Sequence, residues 1–185
     1  MPLPRFERLP AQKRSEILAI ARRHFAQQGR EGAALLTVAQ DAGLSRAAFY
    51  NYFDGKDDLF ETVRIETLAR VGRALGPWTP QASTAAFWTA FADAQRRLEA
   101  ALAEHPDDRA VLATARGGVD ADEWTSEVFG NAVALGLVDT TVGAPLLAAI
   151  TAATLVAADG IELARPGSVP ADTLRTVLER LWGTR

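Results

Sequence analysis

The chain has 185 residues, of which 48% are hydrophobic, enough to form the core of one ordinary domain or of two small ones. It contains no cysteine, which excludes a disulfide framework, a thiol nucleophile and a thiolate metal site and favours an intracellular protein. Residues 1–56 hold nine Lys and Arg against five Asp and Glu, a net charge of +4, whereas the remainder holds eleven against eighteen, a net charge of −7. A basic first segment on an acidic body is typical of a nucleic-acid-binding module followed by a domain that a duplex repels.

The first residues, up to about Gln12, alternate proline, charge and single apolar residues. They contain no apolar signal-peptide core, and three prolines interrupt any regular element, so we expect a poorly ordered N-terminal arm. Two arginines, Arg5 and Arg8, leave open a second interpretation in which the arm follows a groove of nucleic acid.

Three short helices are predicted next, over 11–28, 33–42 and 45–53, with Gly29 and Gly32 ending the first. Apolar residues recur at helical spacing in each of them. We expect their shared core to consist of Ile17, Leu18, Phe25, Val38, Leu44, Phe49 and Phe53.

Residues 37–56, TVAQDAGLSRAAFYNYFDGK, have the pattern of a helix-turn-helix. Ala39 is small enough for two helices to cross closely, and Gly43 can adopt the left-handed backbone that turns the chain. Ser45 is placed to accept a hydrogen bond from a free N–H of the following helix. The spacing therefore predicts two helices joined by a tight turn over about residues 34–53.

The second of these helices has two different faces. Phe49, Tyr52 and Phe53 form an apolar stripe that we expect to pack inward. Arginine and tyrosine on the other face can reach phosphate oxygens, and asparagine can bond a base edge. A solvated helix face is the alternative. The residues of that outer face are Arg46, Ala47, Tyr50 and Asn51.

The run from Phe25 through Gly29, and then VAQDAGLSRAAFYNYFDGKDDLF up to Phe60, resembles the DNA-binding region of the TetR family of transcriptional regulators. The resemblance covers about a quarter of the chain and includes most of the fixed spacings of that region. It implies that the outer face just described contacts DNA, that Ser45 caps the recognition helix near a phosphate, and that Lys56 holds another phosphate. The last role also follows from the free N–H groups and positive dipole end at a helix N-terminus.

One departure from the family concerns the start of the second helix. Family members usually carry threonine or serine where this chain has Ala33 and Ala34, to cap that helix and contact the DNA backbone. Thr37, one turn later, carries a hydroxyl group that could contact the DNA backbone instead. We therefore expect one phosphate contact fewer, with Thr37 as a partial replacement.

No strand period is present, and the rest of the chain is predicted to be helical. The fold class is all-α: an N-terminal three-helix DNA-binding domain, residues 1–55, followed by a helical ligand-binding and dimerisation domain, residues 56–185. The predicted helices of the second domain are 56–75, 84–104, 107–115, 121–137, 142–164 and 170–182.

Residues 140–158 carry no charge but are too rich in alanine and threonine for a membrane span, so we expect a helix buried on most of its circumference and no membrane partner. A dimer interface would provide that cover; a deep core helix within one chain is the alternative. The family resemblance implies homodimers joined through the last two helices.

Catalytic chemistry has little support in the sequence. The histidines lie far apart in the sequence; we expect His24 at the surface of the first helix and His105 at a helix end, so we predict no catalytic residue, no metal site and no cofactor. The family resemblance implies a small-molecule cavity among the middle helices, although aromatic residues at helical spacing are equally compatible with plain core. The candidate lining residues are Trp88, Phe91, Gln95, Arg116, Trp124 and Phe129.

These inferences predict a cytoplasmic, homodimeric, ligand-responsive repressor that binds a palindromic double-stranded operator. A DNA-binding regulator controlled by a protein partner is one alternative, and a helical enzyme or small-molecule-binding protein with a purely structural helix-turn-helix is another. The sequence identifies no ligand.

Overall fold

The computed structural model describes residues 2–114 and 122–183, and within these ranges every regular element is a helix. Arg116, one of the candidate pocket residues, therefore lies outside the described residues. A short 3₁₀ turn, Thr140–Val142, precedes α9. The helices are α1 Pro4–Glu7, α2 Ala11–Gly32, α3 Leu35–Asp41, α4 Arg46–Tyr50, α5 Lys56–Leu75, α6 Thr84–Glu104, α7 Pro106–Thr114, α8 Asp122–Ala134, α9 Ala144–Ala164 and α10 Ala171–Trp182.

The described residues divide into two compact units. The first contains residues 2–70 and 105–114, and the second contains residues 71–104 and 122–183. Most of α5, and all of α7, thus belong with the N-terminal helices. The domain boundary predicted after residue 55 stays a prediction about the functional division of the chain.

The core predicted for the N-terminal helices is confirmed. Six of its seven residues are buried, and Leu44 is partly buried against them. The core also contains residues from α1, α5 and α7, which enlarge it beyond three helices. These additional buried residues include Phe6, Leu59, Phe60, Val63 and Val111.

The N-terminal arm is ordered, so the expectation of a poorly ordered arm is wrong. Residues Pro4–Glu7 form a helical turn that begins with proline, whose fixed φ suits a first helical position. Phe6 is 2% exposed, and its ring centroid lies 4.7 Å from that of Phe53. The Leu3 N–H donates to the Tyr52 carbonyl at 2.9 Å. One aromatic side chain and one backbone hydrogen bond thus hold the arm against α4.

His24 is the second correction, because it is not a surface residue. Its side chain is 12% exposed, and its Nε2 lies 2.7 Å from Oδ2 of Asp41 at the end of α3. This contact joins α2 to α3. His105 lies between α6 and α7, at the helix end that its sequence predicts, and is exposed.

A buried ionic cluster connects α2, α5 and α7. Asp108 on α7 is 2% exposed, and its carboxylate oxygens lie 3.1 Å from Nε of Arg22 and 3.0 Å from Nε of Arg70. Glu66 pairs with both arginines. Burial raises the pKa of Asp108, while the charges of Arg70 and Arg22 oppose that rise.

We expect Asp108→Ala to lower the free energy of unfolding by about 3–5 kcal/mol, because it removes one of the two carboxylates that Arg22 and Arg70 share and leaves Glu66 alone to balance both cations. The neighbouring Asp107→Ala is the matched control and is expected to cost about 1 kcal/mol or less through the dipole of α7. Urea unfolding of both variants measures the difference. Equal losses would contradict a special role for Asp108.

The second unit is built around aromatic rings. Trp88 and Trp182 stack with centroids 5.7 Å apart, and the Trp182 indole N–H donates to Thr151 Oγ1 at 2.9 Å, which ties α10 to α9. Asn131 on α8 accepts the Trp78 indole N–H at 3.1 Å and the Gln81 backbone N–H at 2.7 Å. The loop between α5 and α6 is therefore fixed to α8.

Helix α9 buries only one side within the chain. Leu147, Thr151 and Leu155 are buried, whereas the opposite side is exposed, which corrects the expectation of burial around most of the circumference. By length and composition α9 is the one described helix apolar enough to cross a membrane, with a mean hydropathy of 1.7. Its exposed large apolar residues are Leu146, Ile150, Val156 and Ile161.

Burial raises the pKa of Asp159 on α9 to about 6. Because this pKa is higher in the folded than in the unfolded state, the folded protein loses stability as the pH rises from about 4 to about 6. We expect Asp159→Asn to raise the free energy of unfolding at pH 7.5 by about 1–3 kcal/mol and to change it little near pH 4.

Urea unfolding at one fixed protein concentration, repeated between pH 4 and pH 7.5, tests this expectation. Glu99→Gln removes an exposed carboxylate of α6 and serves as the control. A benefit of Asp159→Asn that does not grow with pH would refute the burial explanation.

Candidate nucleic-acid interface

The turn between α3 and α4 has the geometry that its sequence predicts. Gly43 has a φ of +67°, in the region that favours glycine, and Ala39 is 2% exposed. The Leu44 N–H donates to the Ala39 carbonyl at 2.8 Å, and the Gly43 N–H to the Gln40 carbonyl at 2.9 Å. These bonds use carbonyls at the end of α3 and fix the direction in which α4 leaves the turn.

Ser45 caps α4, as predicted, because its Oγ accepts the Ala48 N–H at 3.1 Å. The helix is shorter than the predicted 45–53, however, and Asn51 is its C-terminal capping residue. The Tyr52 N–H turns back to the Phe49 carbonyl at 2.8 Å, and the chain then bends so that Phe53 enters the core. Burial of Phe53 therefore ends the helix early.

The outer face of α4 is exposed to solvent. Tyr50 is 46% exposed, and the guanidinium carbon of Arg46 lies 6.0 Å from its ring centroid. This contact orients a cation and a phenol side by side on the surface. All five residues that we predict to contact DNA from α4 and its two caps are exposed. They are Ser45, Arg46, Ala47, Tyr50 and Asn51.

The start of α3 lacks a cap, as its sequence predicts. Ala34 occupies the capping position, and no side chain accepts a hydrogen bond there. Thr37 is exposed within the helix and does not replace the missing cap. Because Thr37 is exposed, its hydroxyl can contact a molecule bound at this surface.

Lys56 lies at the N-terminus of α5 but is already engaged within the protein. Its Nζ donates to the Glu31 carbonyl at 2.7 Å and lies 3.9 Å from the Glu31 carboxylate. An ammonium group has three donors, so the Glu31 carbonyl uses only part of its capacity. Nearby, Arg30 pairs with Asp57 at 2.9 Å. The end of α2 is thereby joined to the start of α5.

Two further cations lie beside α4, the arginines of the N-terminal arm that the sequence left open as nucleic-acid contacts. Arg5 and Arg8 of α1 line a concavity of about 400 Å³ together with Tyr50 and Asn51 of the α4 region. The sequence signal for this arrangement is Phe6, the aromatic residue that docks α1. Leu3 and Pro4 complete the concavity.

The candidate ligand pocket is only partly assembled. Trp88 and Phe91 line an open cleft of about 620 Å³ between α6 and α10, but Gln95 does not. Trp124 and Phe129 pack in the aromatic core, where their ring centroids lie 6.0 Å from Phe91 and 6.5 Å from Trp182. The remaining lining residues are Thr84, Ala85, Thr89, Ala92, Arg96, Ala171, Asp172 and Arg175.

The fold and the capped turn define a helix-turn-helix protein with a second, all-helical unit. Residues 17–63 match the family described as "Bacterial regulatory proteins, tetR family". Over 66 residues it is 38% identical to the HTH-type transcriptional repressor AcnR of Corynebacterium glutamicum, a match that covers 36% of this chain and 35% of AcnR.

Over 82 residues the chain is 33% identical to the HTH-type transcriptional regulator BetI of Brucella canis, covering 44% of this chain and 41% of BetI. The chain thus matches only about a third to two fifths of the length of these curated relatives. A TetR-family regulator from Streptomyces coelicolor superposes with a TM-score of 0.57 over 95% of this chain and 98% of its own, at 19% identity. That likeness supports the fold alone, over the superposed part of the chain.

We expect Ser45→Ala to lower the free energy of unfolding by about 1 kcal/mol, because the Ala48 N–H loses its acceptor. Ser45→Gly is the matched variant and is expected to cost only a few tenths of that value, since glycine is tolerated at this position. Urea unfolding of the two proteins gives the comparison. Equal stability of Ser45→Ala and the original protein would show that this cap contributes nothing.

Proposed function

We propose that the protein is a sequence-specific DNA-binding transcriptional repressor, with no enzymatic activity, that acts in the cytoplasm as a homodimer on a palindromic operator. The observation that carries this proposal is the exposed outer face of α4, set at a fixed angle by a capped helix-turn-helix. The family match covers this same segment.

In the proposed complex, α4 enters the major groove with its N-terminal end near the DNA backbone. Arg46 and Tyr50 contact phosphates, Asn51 bonds a base edge, and Ala47 lets the helix backbone come close. Ser45, Thr37 and Lys56 supply further backbone contacts. The net charge of +4 on residues 1–56 supports this orientation, because it draws that end of the chain to the duplex.

The homodimer is proposed from the uncovered side of α9. Leu146, Ile150 and Ile161 lie exposed on a helix whose other side is core, and Val177 on α10 is 43% exposed. A contiguous exposed apolar surface of this kind is typical of an interface. Two recognition helices that enter successive major grooves lie about 34–36 Å apart, so a two-fold dimer through α9 and α10 predicts a palindromic site.

Release by a small molecule is proposed from the cleft of the second unit. Trp88 and Phe91 offer an apolar surface, while Arg96, Arg175 and Asp172 offer charge at its edge. A ligand that prefers a conformation unsuited to the operator weakens DNA binding by its differential affinity, typically about 1–3 kcal/mol. An unchanged DNA affinity in the presence of a bound ligand would remove this part of the proposal.

Selection of bound sequences from random duplexes, with the purified full chain, tests the function directly. We expect a two-fold symmetric sequence with half-sites one helical turn apart. Failure to enrich any sequence over successive rounds would reject the proposal of a sequence-specific DNA-binding protein.

Two substitutions separate the proposed contacts on the selected site. Asn51→Ala is expected to reduce discrimination at one base position by about 1–3 kcal/mol, because the amide no longer bonds the base edge. Lys56→Ala is expected to weaken binding to all duplexes and to lower the slope of log affinity against log salt by about 0.9.

Equilibrium binding at several salt concentrations measures both effects. Arg73→Ala, which removes an exposed charge from the C-terminal end of α5, is the control for a general change of charge. The site assignment is wrong if Asn51→Ala and Lys56→Ala both bind like the original protein.

A further inference from the structure

We propose that α1 is a second DNA-contacting element, in which Arg5 and Arg8 bind one phosphate of the DNA backbone in the concavity they share with Tyr50 and Asn51. This inference rests on the proposed DNA-binding function and extends it to a segment that precedes the matched residues 17–63. The shared concavity is the observation that carries it.

The first step is that α1 is anchored to the recognition helix. Phe6 packs against Phe53, with centroids 4.7 Å apart, and against Tyr52 at 6.2 Å. The Leu3 N–H holds the Tyr52 carbonyl at 2.9 Å. Because Tyr52 and Phe53 directly follow the DNA-facing Tyr50 and Asn51, α1 has a fixed position beside them.

The second step is that the other end of α1 is also held. Arg14 on α2 donates through Nη1 to the Glu7 carbonyl at 2.5 Å and to the Leu9 carbonyl at 3.3 Å. The Leu9 N–H closes the turn on the Phe6 carbonyl at 3.0 Å. The two arginines are therefore presented from an ordered turn, and binding loses less conformational entropy than it would with a floating tail.

The third step concerns charge. Arg5 and Arg8 are exposed, and among the described residues neither forms an ion pair with a carboxylate. Glu7, the acid of the same helical turn, lies 3.9 Å from Nη1 of Arg14 instead. No acidic residue lines the concavity. Two unpaired guanidinium groups, with a phenol and an amide beside them, match the oxygens of a phosphate diester.

The position of the concavity indicates which phosphate is bound. It lies against Tyr50 and Asn51, at the C-terminal end of α4, whereas Ser45 marks the N-terminal end. A strand whose base is bonded by Asn51 continues past this end of the helix. The phosphate held by α1 is therefore one that flanks the bases read by α4.

The test compares the full chain with the double variant Arg5→Ala and Arg8→Ala on the selected operator. We expect about tenfold weaker binding or more, and a salt slope lower by about 0.9, since the contact with one phosphate is lost. Arg73→Ala together with Arg165→Ala removes the same charge from exposed positions outside the N-terminal unit and is expected to leave the slope nearly unchanged.

Ethylation interference locates the contact. Ethylation of one flanking phosphate in each half-site should block the original protein but not the double arginine variant, which keeps its sensitivity at the other phosphates. Unchanged affinity, slope and interference pattern in the double variant would overturn the proposal. Absence of sequence-specific binding by the original protein would instead reject the proposed function.

Phe6→Ala separates a docked helix from a free basic tail, because it removes the anchor and keeps both arginines. Once circular dichroism shows that this variant is folded, it should lose the same flanking interference as the double variant. Binding like that of the original protein, with the flanking contact intact, would show that a free tail suffices and would refute the docked element. The double arginine variant decides the question even if Phe6→Ala does not fold.

Discussion

A helix of five residues does not persist alone in water, so α4 depends on the burial of its inner side chains. Phe49 is 2% exposed and Phe53 is fully buried, with ring centroids 5.3 Å apart, and each such burial contributes about 1.5–3 kcal/mol. The same contacts aim the outer face of α4. The orientation of the candidate DNA surface is thus set by core packing beneath it, while Ser45 determines where the helix begins.

The helix-turn-helix could be predicted from sequence because its causes lie close together in the chain. Gly43 and Ser45 act through their own backbone geometry and hydroxyl, and Phe49 and Phe53 lie four residues apart and enter the same core. The order of α1 could not be predicted in this way, because Phe6 is buried only by residues that lie far along the chain. Three prolines gave a local signal for disorder, and a tertiary contact outweighed it.

Two further features could not be predicted for the same reason, because they depend on contacts between residues that lie far apart in the chain. Asp108 has the sequence position of a carboxylate in the first turn of a helix, yet its strongest partners, Arg22 and Arg70, come from two other helices. Aromatic residues at helical spacing predict burial but not whether a cleft opens beside them. Trp88 lines a cleft and Phe129 does not, and only the packing of α10 against α6 decides between the two.

Helix α9 connects the fold to the proposed function. A membrane would cover its exposed apolar side, but Thr151 is buried and accepts the Trp182 indole N–H, so the other side of the helix is built into a protein core. A membrane span would also place Asp159 and Glu162 in hydrocarbon, at high cost. A second copy of the chain would cover the apolar side of α9 without disturbing the Trp182 contact and without placing a carboxylate in hydrocarbon. In the proposed two-fold dimer, the apolar side of α9 that one chain leaves exposed is the surface that joins the two copies on a palindromic operator.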